Sequence, residues 1–189
     1  ELNPFFKKLW KNKDPFDQVE KIQGQVFRQL EARRTLSFIQ DGHYFFIKIH
    51  HGIGWYEIIE NLMRFRFPIL GASNEYYAIK RLEQLGIETM KIVAFGEKGL
   101  NPARQHSFII TENLINTISL EDYCWHWKNL SLTKQAPDFK LKQSLIVKIA
   151  FISRTLHNNG VNHRDYYICH FLLDISTGQQ NLQADTIKL

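Results

Sequence analysis

The sequence predicts an α+β fold in two lobes: a β-rich one over residues 1–113 and a helical one over residues 114–189. Three observations predict it. Strand-period runs crowd the first lobe, and an Asp41-Gly42 turn signal joins two of them. In the second lobe, apolar residues recur on one helix face from Leu141 to Leu156. The chain has 189 residues, 44% of them hydrophobic and 23% charged, a globular composition able to bury a core.

Residues 1–16 alternate aromatics with lysines. That mixture suits either an anionic membrane surface or a short arm docked on the fold. Gln25–Arg28 and Arg34–Gln40 read as strands. The return strand, His43–His50, sets Phe45, Ile47 and Ile49 on one face and Tyr44, Phe46, Lys48 and His50 on the other. A lysine in the middle of an apolar strand needs a partner if buried, or else marks an edge strand wetted by solvent. Gly52–Leu70 reads as an amphipathic helix ending at Pro68, with packing assigned first to its aromatics and a membrane or substrate role second.

A second helix is expected from Gly71, with Ser73 as N-cap, Glu75 in its first turn and Gly86 as its stop. Glu75 either complements the helix dipole or pairs with Lys48. Thr89–Gly96 and His106–Glu112 complete five strands, and Glu112-Asn113-Leu114 marks the change to helix. Ser119 is expected to cap a helix from Leu120 to Trp127, with a linker over Leu130–Pro137. Leu141, Leu145, Ile149, Ile152 and Leu156 then form one face of a long helix that Asn159-Gly160 ends. Strands are expected at Phe171–Ile175 and near Thr186–Leu189.

The net charge is +5. From Tyr123 to Arg164 seven basic residues face a single acid, Asp138, which suits an anionic partner or a solvated helix face. Nucleic acid is not expected, because the excess is mostly lysines on one helix without a reading motif. Two cysteines, Cys124 and Cys169, lie far apart, which fits a reducing compartment rather than a disulfide scaffold. No run approaches the length of a membrane-spanning helix, and no signal-peptide pattern is visible.

His163-Arg164-Asp165 sits in a polar loop between the long helix and the next strand. It reads either as a surface loop with a salt bridge or as the catalytic loop of a kinase, whose Asp takes the proton from an attacking hydroxyl. The order of parts favours the second. A β-hairpin, a strand lysine, a helix glutamate, a strand ending at a connector, a long helix and then His-Arg-Asp is the order of a protein-kinase-like fold. On that reading Lys48 holds the α- and β-phosphates of ATP, Glu75 holds Lys48, and the connector from Glu112 to Leu114 offers backbone groups to adenine. Asp165 deprotonates the acceptor, a role worth roughly 10²- to 10⁴-fold in rate.

Several stretches carry a narrower likeness. They are Gly24–Arg28 with Glu31–Leu36, Phe67–Ala72 with Glu75, Ala94–Pro102, Phe108–Glu112, Ile118–Cys124 and Asn162–Phe171. Together they closely resemble the lipopolysaccharide core heptose I kinases of Gram-negative bacteria, over nearly the whole chain. The Ile168-Cys169-His170-Phe171 tail of the loop is the most specific part. The resemblance implies an enzyme at the cytoplasmic face of the inner membrane. It would use ATP and Mg²⁺ to phosphorylate the first heptose of the lipopolysaccharide inner core.

Two departures from ordinary protein kinases stand out. His170 replaces a metal-binding Asn; Mg²⁺ prefers oxygen ligands, so His170 is expected to bond a phosphate or the loop instead. The nucleotide loop offers one obvious glycine, Gly24, with Arg28 adding charge; Arg164 is a further candidate for phosphate or substrate. Asp174 and Asp185 fall too early to be the metal-binding Asp, which is expected beyond Leu189. The helical lobe is therefore expected to be truncated, and the fragment inactive or crippled. Two competing readings are a kinase for another core sugar or for protein, and a non-catalytic kinase-like binding module.

Overall fold

The computed structural model describes residues 1–30, 32–125, 127, 137–163, 165–176 and 187–189. They form two units, Glu1–Arg81 with Met90–Asn113, and Leu82–Thr89 with Leu114–Leu189.

The first unit is built on a five-stranded antiparallel sheet of order β1-β2-β3-β5-β4. The strands are β1 (Gln25–Leu30), β2 (Arg33–Gln40), β3 (His43–His50), β4 (Ile92–Lys98) and β5 (His106–Glu112). The Asp41-Gly42 signal is realised: Gln40 pairs with His43, and the two turn residues take φ of 49° and 79°. That backbone matches the twist of the flanking strands. Strand alternation buries Leu36, Phe38, Phe45, Ile47, Ile49, Phe108 and Ile110 in one core.

Two short helices, α1 (Pro4–Leu9) and α2 (Pro15–Glu20), cover that core with Phe6, Trp10 and Val19. Each begins with Pro at a position that needs no N–H donor. Asn3 caps α1 at Phe6 N (2.9 Å) and Asp14 caps α2 at Phe16 N (2.8 Å). The N-terminal segment is thus a docking arm, with Phe6 fully buried. Its first residues run along β4, with Asn3 N donating to Val93 O and Phe95 N to Glu1 O, both at 2.8 Å.

The helix expected over Gly52–Leu70 is shorter and turned the other way. α3 spans Gly54–Met63 and buries Ile58, while Trp55, Tyr56, Ile59, Leu62 and Met63 are exposed. It stops before Pro68 because Phe65 adopts φ of 53° and Arg66 N donates back to Asn61 O at 2.9 Å, a left-handed helix stop. Assigning these aromatics to packing is therefore corrected. The spacing identified one face of the helix, but that face points to solvent.

α4 (Ser73–Gln84) lies on the opposite sheet face and packs Ala72 and Ile79 against Ile109. Ser73 is its first helical residue rather than its N-cap. The helix opens with Tyr76 N bonded to Ala72 O (3.0 Å), while the Ser73 hydroxyl bonds Glu97.

The second unit holds a three-stranded antiparallel sheet, β6 (Thr117–Ser119), β7 (Leu172–Asp174) and β8 (Ile187–Lys188). It also holds α5 (Leu120–Trp125) and α6 (Pro137–Asn158). Ser119 caps α5 through Asp122 N at 3.0 Å. α6 buries Leu145, Ile152 and Leu156, with Leu141 and Ile149 partly buried, in a cluster with Leu120, Phe171, Leu173 and Ile187. Val161 N donates to Leu156 O at 2.9 Å and closes the helix at Gly160. β6 is absent from the sequence reading, because three residues are too few to show a period. Most of the expected 130–137 linker lies outside the described residues.

Candidate active site

Within the first unit, β3 carries Lys48 in the middle of the sheet, paired with Thr35 on β2 and Ile109 on β5. Its neighbours Ile47 and Ile49 point into the core, so the strand period turns Lys48 to the face that carries α4. Lys48 Nζ lies 2.8 Å from both carboxylate oxygens of Glu75. The side chains are 39% and 27% exposed, so solvent and other ligands still reach the ammonium. Of the two readings of Lys48, the partnered one holds.

α4 is held so that Glu75 meets Lys48. Ala72 N donates to Ser107 Oγ on β5 at 2.9 Å, a buried bond. Gly71 permits that approach, since a Cβ there would sit 2.3 Å from Ser107 Oγ. One turn on, the Tyr76 ring stacks on Phe95 at 4.2 Å. Neither anchor was read from the sequence; a serine at the start of an apolar strand was the available signal.

His50 shares the Lys48 face of β3. It is 5% exposed, and its Nδ1 is buried without a hydrogen-bond partner among the described residues. Burial, and then the charges of Arg33, Lys48 and His51, hold its pKa down to about 4.

Gly24 directly precedes β1, at the end of that strand away from Leu30. A Cβ there would meet Ser37 O at 1.9 Å, so close strand approach accounts for this glycine, and a phosphate contact is not needed to explain it. Arg28 is exposed on β1. At the end of β5, Glu112 N donates to Lys91 O (2.9 Å) and Asn113 N to Tyr44 O (3.0 Å). In an antiparallel ladder a residue's N–H and C=O leave the strand on the same side, so the Glu112 carbonyl points toward the β4 side. Leu114 O accepts from Thr117 Oγ1 at 3.0 Å.

Within the second unit, the loop after α6 is organised around the Asp165 carbonyl. It accepts from Tyr167 N (3.0 Å) and from His170 Nδ1 (2.5 Å). His170 therefore carries its proton on Nδ1 in this contact and bonds the loop, the second of the two roles expected for it. The Tyr166 hydroxyl lies 2.8 Å from Ser153 Oγ on α6, and Ser153 Oγ donates to Ile149 O. Tyr166 is thus the donor to Ser153 and ties the loop to the long helix. The Asp165 side chain is left exposed. Arg164 lies outside the described residues.

A strand lysine bonded to a helix glutamate, and an Asp in a pinned loop after a long helix, are parts that phosphoryl transfer uses for positioning. The family model for the lipopolysaccharide kinase (Kdo/WaaP) family matches residues 17–188. The chain belongs to this family.

Among members of the lipopolysaccharide kinase family, the chain is 49% identical over 191 residues to the lipopolysaccharide core heptose(I) kinase WaaP of Escherichia coli. The match covers all of this chain and 70% of that one. It is 50% identical over 184 residues to the WaaP kinase of Pseudomonas aeruginosa, covering 97% of this chain and 66% of that one. A solved structure of WaaP in complex with acyl carrier protein superimposes with a TM-score of 0.78 at 41% identity, over 100% of this chain and 67% of that chain. The chain thus spans about two thirds of the length of these relatives. The kinase family and the α+β protein-kinase-like fold expected from the order of parts are both borne out.

Among the described residues, no group of three or more His, Cys, Asp or Glu side chains could hold a metal ion. Asp174, set aside as a ligand, is engaged elsewhere. Hydrogen bonds from Ser176, with help from Lys188, hold its carboxyl at a pKa of about 2. Asp185 lies outside the described residues.

Proposed function

We propose that the protein transfers the γ-phosphate of ATP to a hydroxyl of the first heptose of the lipopolysaccharide inner core. The observation that carries this reading is the near-half identity to heptose(I) kinases over essentially the whole chain. The Lys48–Glu75 bond supports it as the phosphate-holding pair. The donor is proposed to enter with Mg²⁺ as counter-ion, the usual partner of a transferring phosphoryl group. No step is assigned to metal ligands of this chain.

In the proposed reaction Lys48 neutralises the α- and β-phosphates, and Glu75 fixes the ammonium against rotation. The carbonyl of Glu112 and the N–H of Leu114 meet adenine. Asp165 takes the acceptor proton as the hydroxyl oxygen forms its bond to the γ-phosphorus and the bond to the ADP oxygen breaks. His170 and Tyr166 are positioning residues for that loop, and Arg28 and Arg164 remain candidate charge contacts.

The acceptor's lipid end argues for work at the cytoplasmic face of the inner membrane. Among the described residues, no helix is long and apolar enough to cross a membrane, which agrees with peripheral contact. The related complex with acyl carrier protein supports that protein as a second partner; co-purification from cells tests it.

The deciding experiment supplies labelled ATP and Mg²⁺ to the gene product carrying this chain, with core oligosaccharides that have or lack a free first heptose. Label on that heptose is expected. Label on another sugar or on protein would move the assignment to the first competing reading. ATP binding measured by calorimetry, if absent, would favour the non-catalytic one.

A further inference from the structure

We propose that the exposed face of α3, with the Arg64–Phe67 segment after it, is a docking surface for a bilayer carrying anionic lipid. At 3.6 residues per turn, Trp55, Tyr56, Ile59, Leu62 and Met63 fall within an arc of about 120°. All five are exposed, as are Phe65 (98%) and Phe67 (90%) immediately downstream. Helices of globular proteins normally turn such a stripe inward. Here Ile58 is the buried residue, and Glu57, Glu60 and Asn61 occupy the side away from the stripe. Seven large apolar side chains concentrated in thirteen consecutive residues (55–67) exceed the scattered exposure that a protein surface ordinarily shows.

The chemistry selects a lipid interface as occupant. Trp55 and Tyr56 are the amphipathic rings that settle at headgroup depth, and Ile59, Leu62, Met63, Phe65 and Phe67 supply the acyl-facing area. A helix of ten residues is too short to span a bilayer but suited to lie in its surface. Arg64 is matched by Glu60 at 2.6 Å and adds little net charge, whereas Arg66, between Phe65 and Phe67 in sequence and itself exposed, offers a guanidinium to anionic headgroups. The choice of lipid over protein also rests on the proposed acceptor, a lipid-anchored sugar. The arm at residues 1–16, the other aromatic and basic stretch, is spent on the core.

The test is flotation of the protein with phosphatidylcholine vesicles, with and without phosphatidylglycerol. The wild type is expected to float, more so with phosphatidylglycerol. Combined Ile59→Ser, Met63→Ser and Phe67→Ser substitutions should lower the bound fraction about tenfold, and Arg66→Gln should remove the preference for anionic vesicles. All four positions are exposed, so the fold is expected to survive, as an unchanged circular dichroism spectrum would verify. Vesicle binding that is absent in the wild type or equal in the triple variant overturns the proposal. So does a triple variant that still floats but no longer captures acyl carrier protein or no longer self-associates, since the face then serves a protein or a second copy. ATP-induced thermal stabilisation is recorded alongside. Its absence with vesicle binding intact counts against the kinase reading alone, and its presence without vesicle binding counts against the docking surface alone.

Discussion

Lys48 Nζ stands 2.8 Å from each carboxylate oxygen of Glu75, a residue 27 positions further along the chain. A two-oxygen contact fixes the ammonium in a way that a single surface ion pair does not. It also keeps half-exposed charge available to an incoming anion. Lys48→Ala is expected to weaken ATP binding by at least about tenfold, the scale of a lost charge-assisted hydrogen bond. Glu75→Gln, which keeps the shape, should weaken it less. Calorimetric titration with ATP reads both, and unchanged affinity in Lys48→Ala would remove the pair from the site.

Asp165→Ala should slow phosphoryl transfer by about 10²- to 10⁴-fold while leaving ATP affinity within about twofold, because a base acts on the acceptor rather than the donor. Single-turnover rates and nucleotide titration together check it. Transfer at the wild-type rate would place the base elsewhere.

His170→Ala removes one of two donors to the Asp165 carbonyl. We expect kcat to fall about tenfold with KM for ATP unchanged, the mark of a misplaced base. Tyr166→Phe should act in the same direction through loss of the Ser153 tie. A change confined to KM for ATP would instead indicate a phosphate contact by His170.

His50 makes stability depend on pH. The unfolded chain takes up a proton near pH 6.5, whereas the folded one resists until about pH 4. Between those values the unfolded state binds more protons, so stability should fall as pH falls. His50→Phe should flatten that part of the Tm–pH curve. Parallel curves for variant and wild type would trace the acid sensitivity to another group.

Phe6 is fully buried in the sheet's core. Phe6→Ala is therefore expected to cost about 3–5 kcal/mol, as for a large core ring, and to lower the urea midpoint clearly. A change under about 1 kcal/mol would mean that the arm lies loosely on the sheet.

Much of this is legible in the sequence. A strand lysine among apolar residues demands a partner, and the first-turn glutamate of α4, the second helix after that strand, supplies it; the Lys48–Glu75 bond follows that logic. The Leu141–Leu156 face was equally plain, because its regular spacing extends over four turns. What escaped was orientation. Period tells which residues share a face, and for α6 that face is buried, but for α3 the same kind of pattern points outward. Local backbone chemistry also went unread. Phe65 ends α3 by a positive φ that nothing about phenylalanine advertises, and Gly24 answers to a carbonyl on the neighbouring strand rather than to its own turn. β6 takes its strand form from pairing with β7, which three residues cannot announce.

The opening residues have one more effect. Leu2 bridges Ala94 on β4, the last strand of its sheet, with hydrogen bonds from Asn3 and Phe95 on either side. A bare outer strand invites stray chains to add themselves, and this stub fills the vacancy. Clipping residues 1–3 should therefore raise light scattering at high concentration well before it changes the melting curve. Indifference to the cut would show that the border is guarded by other means.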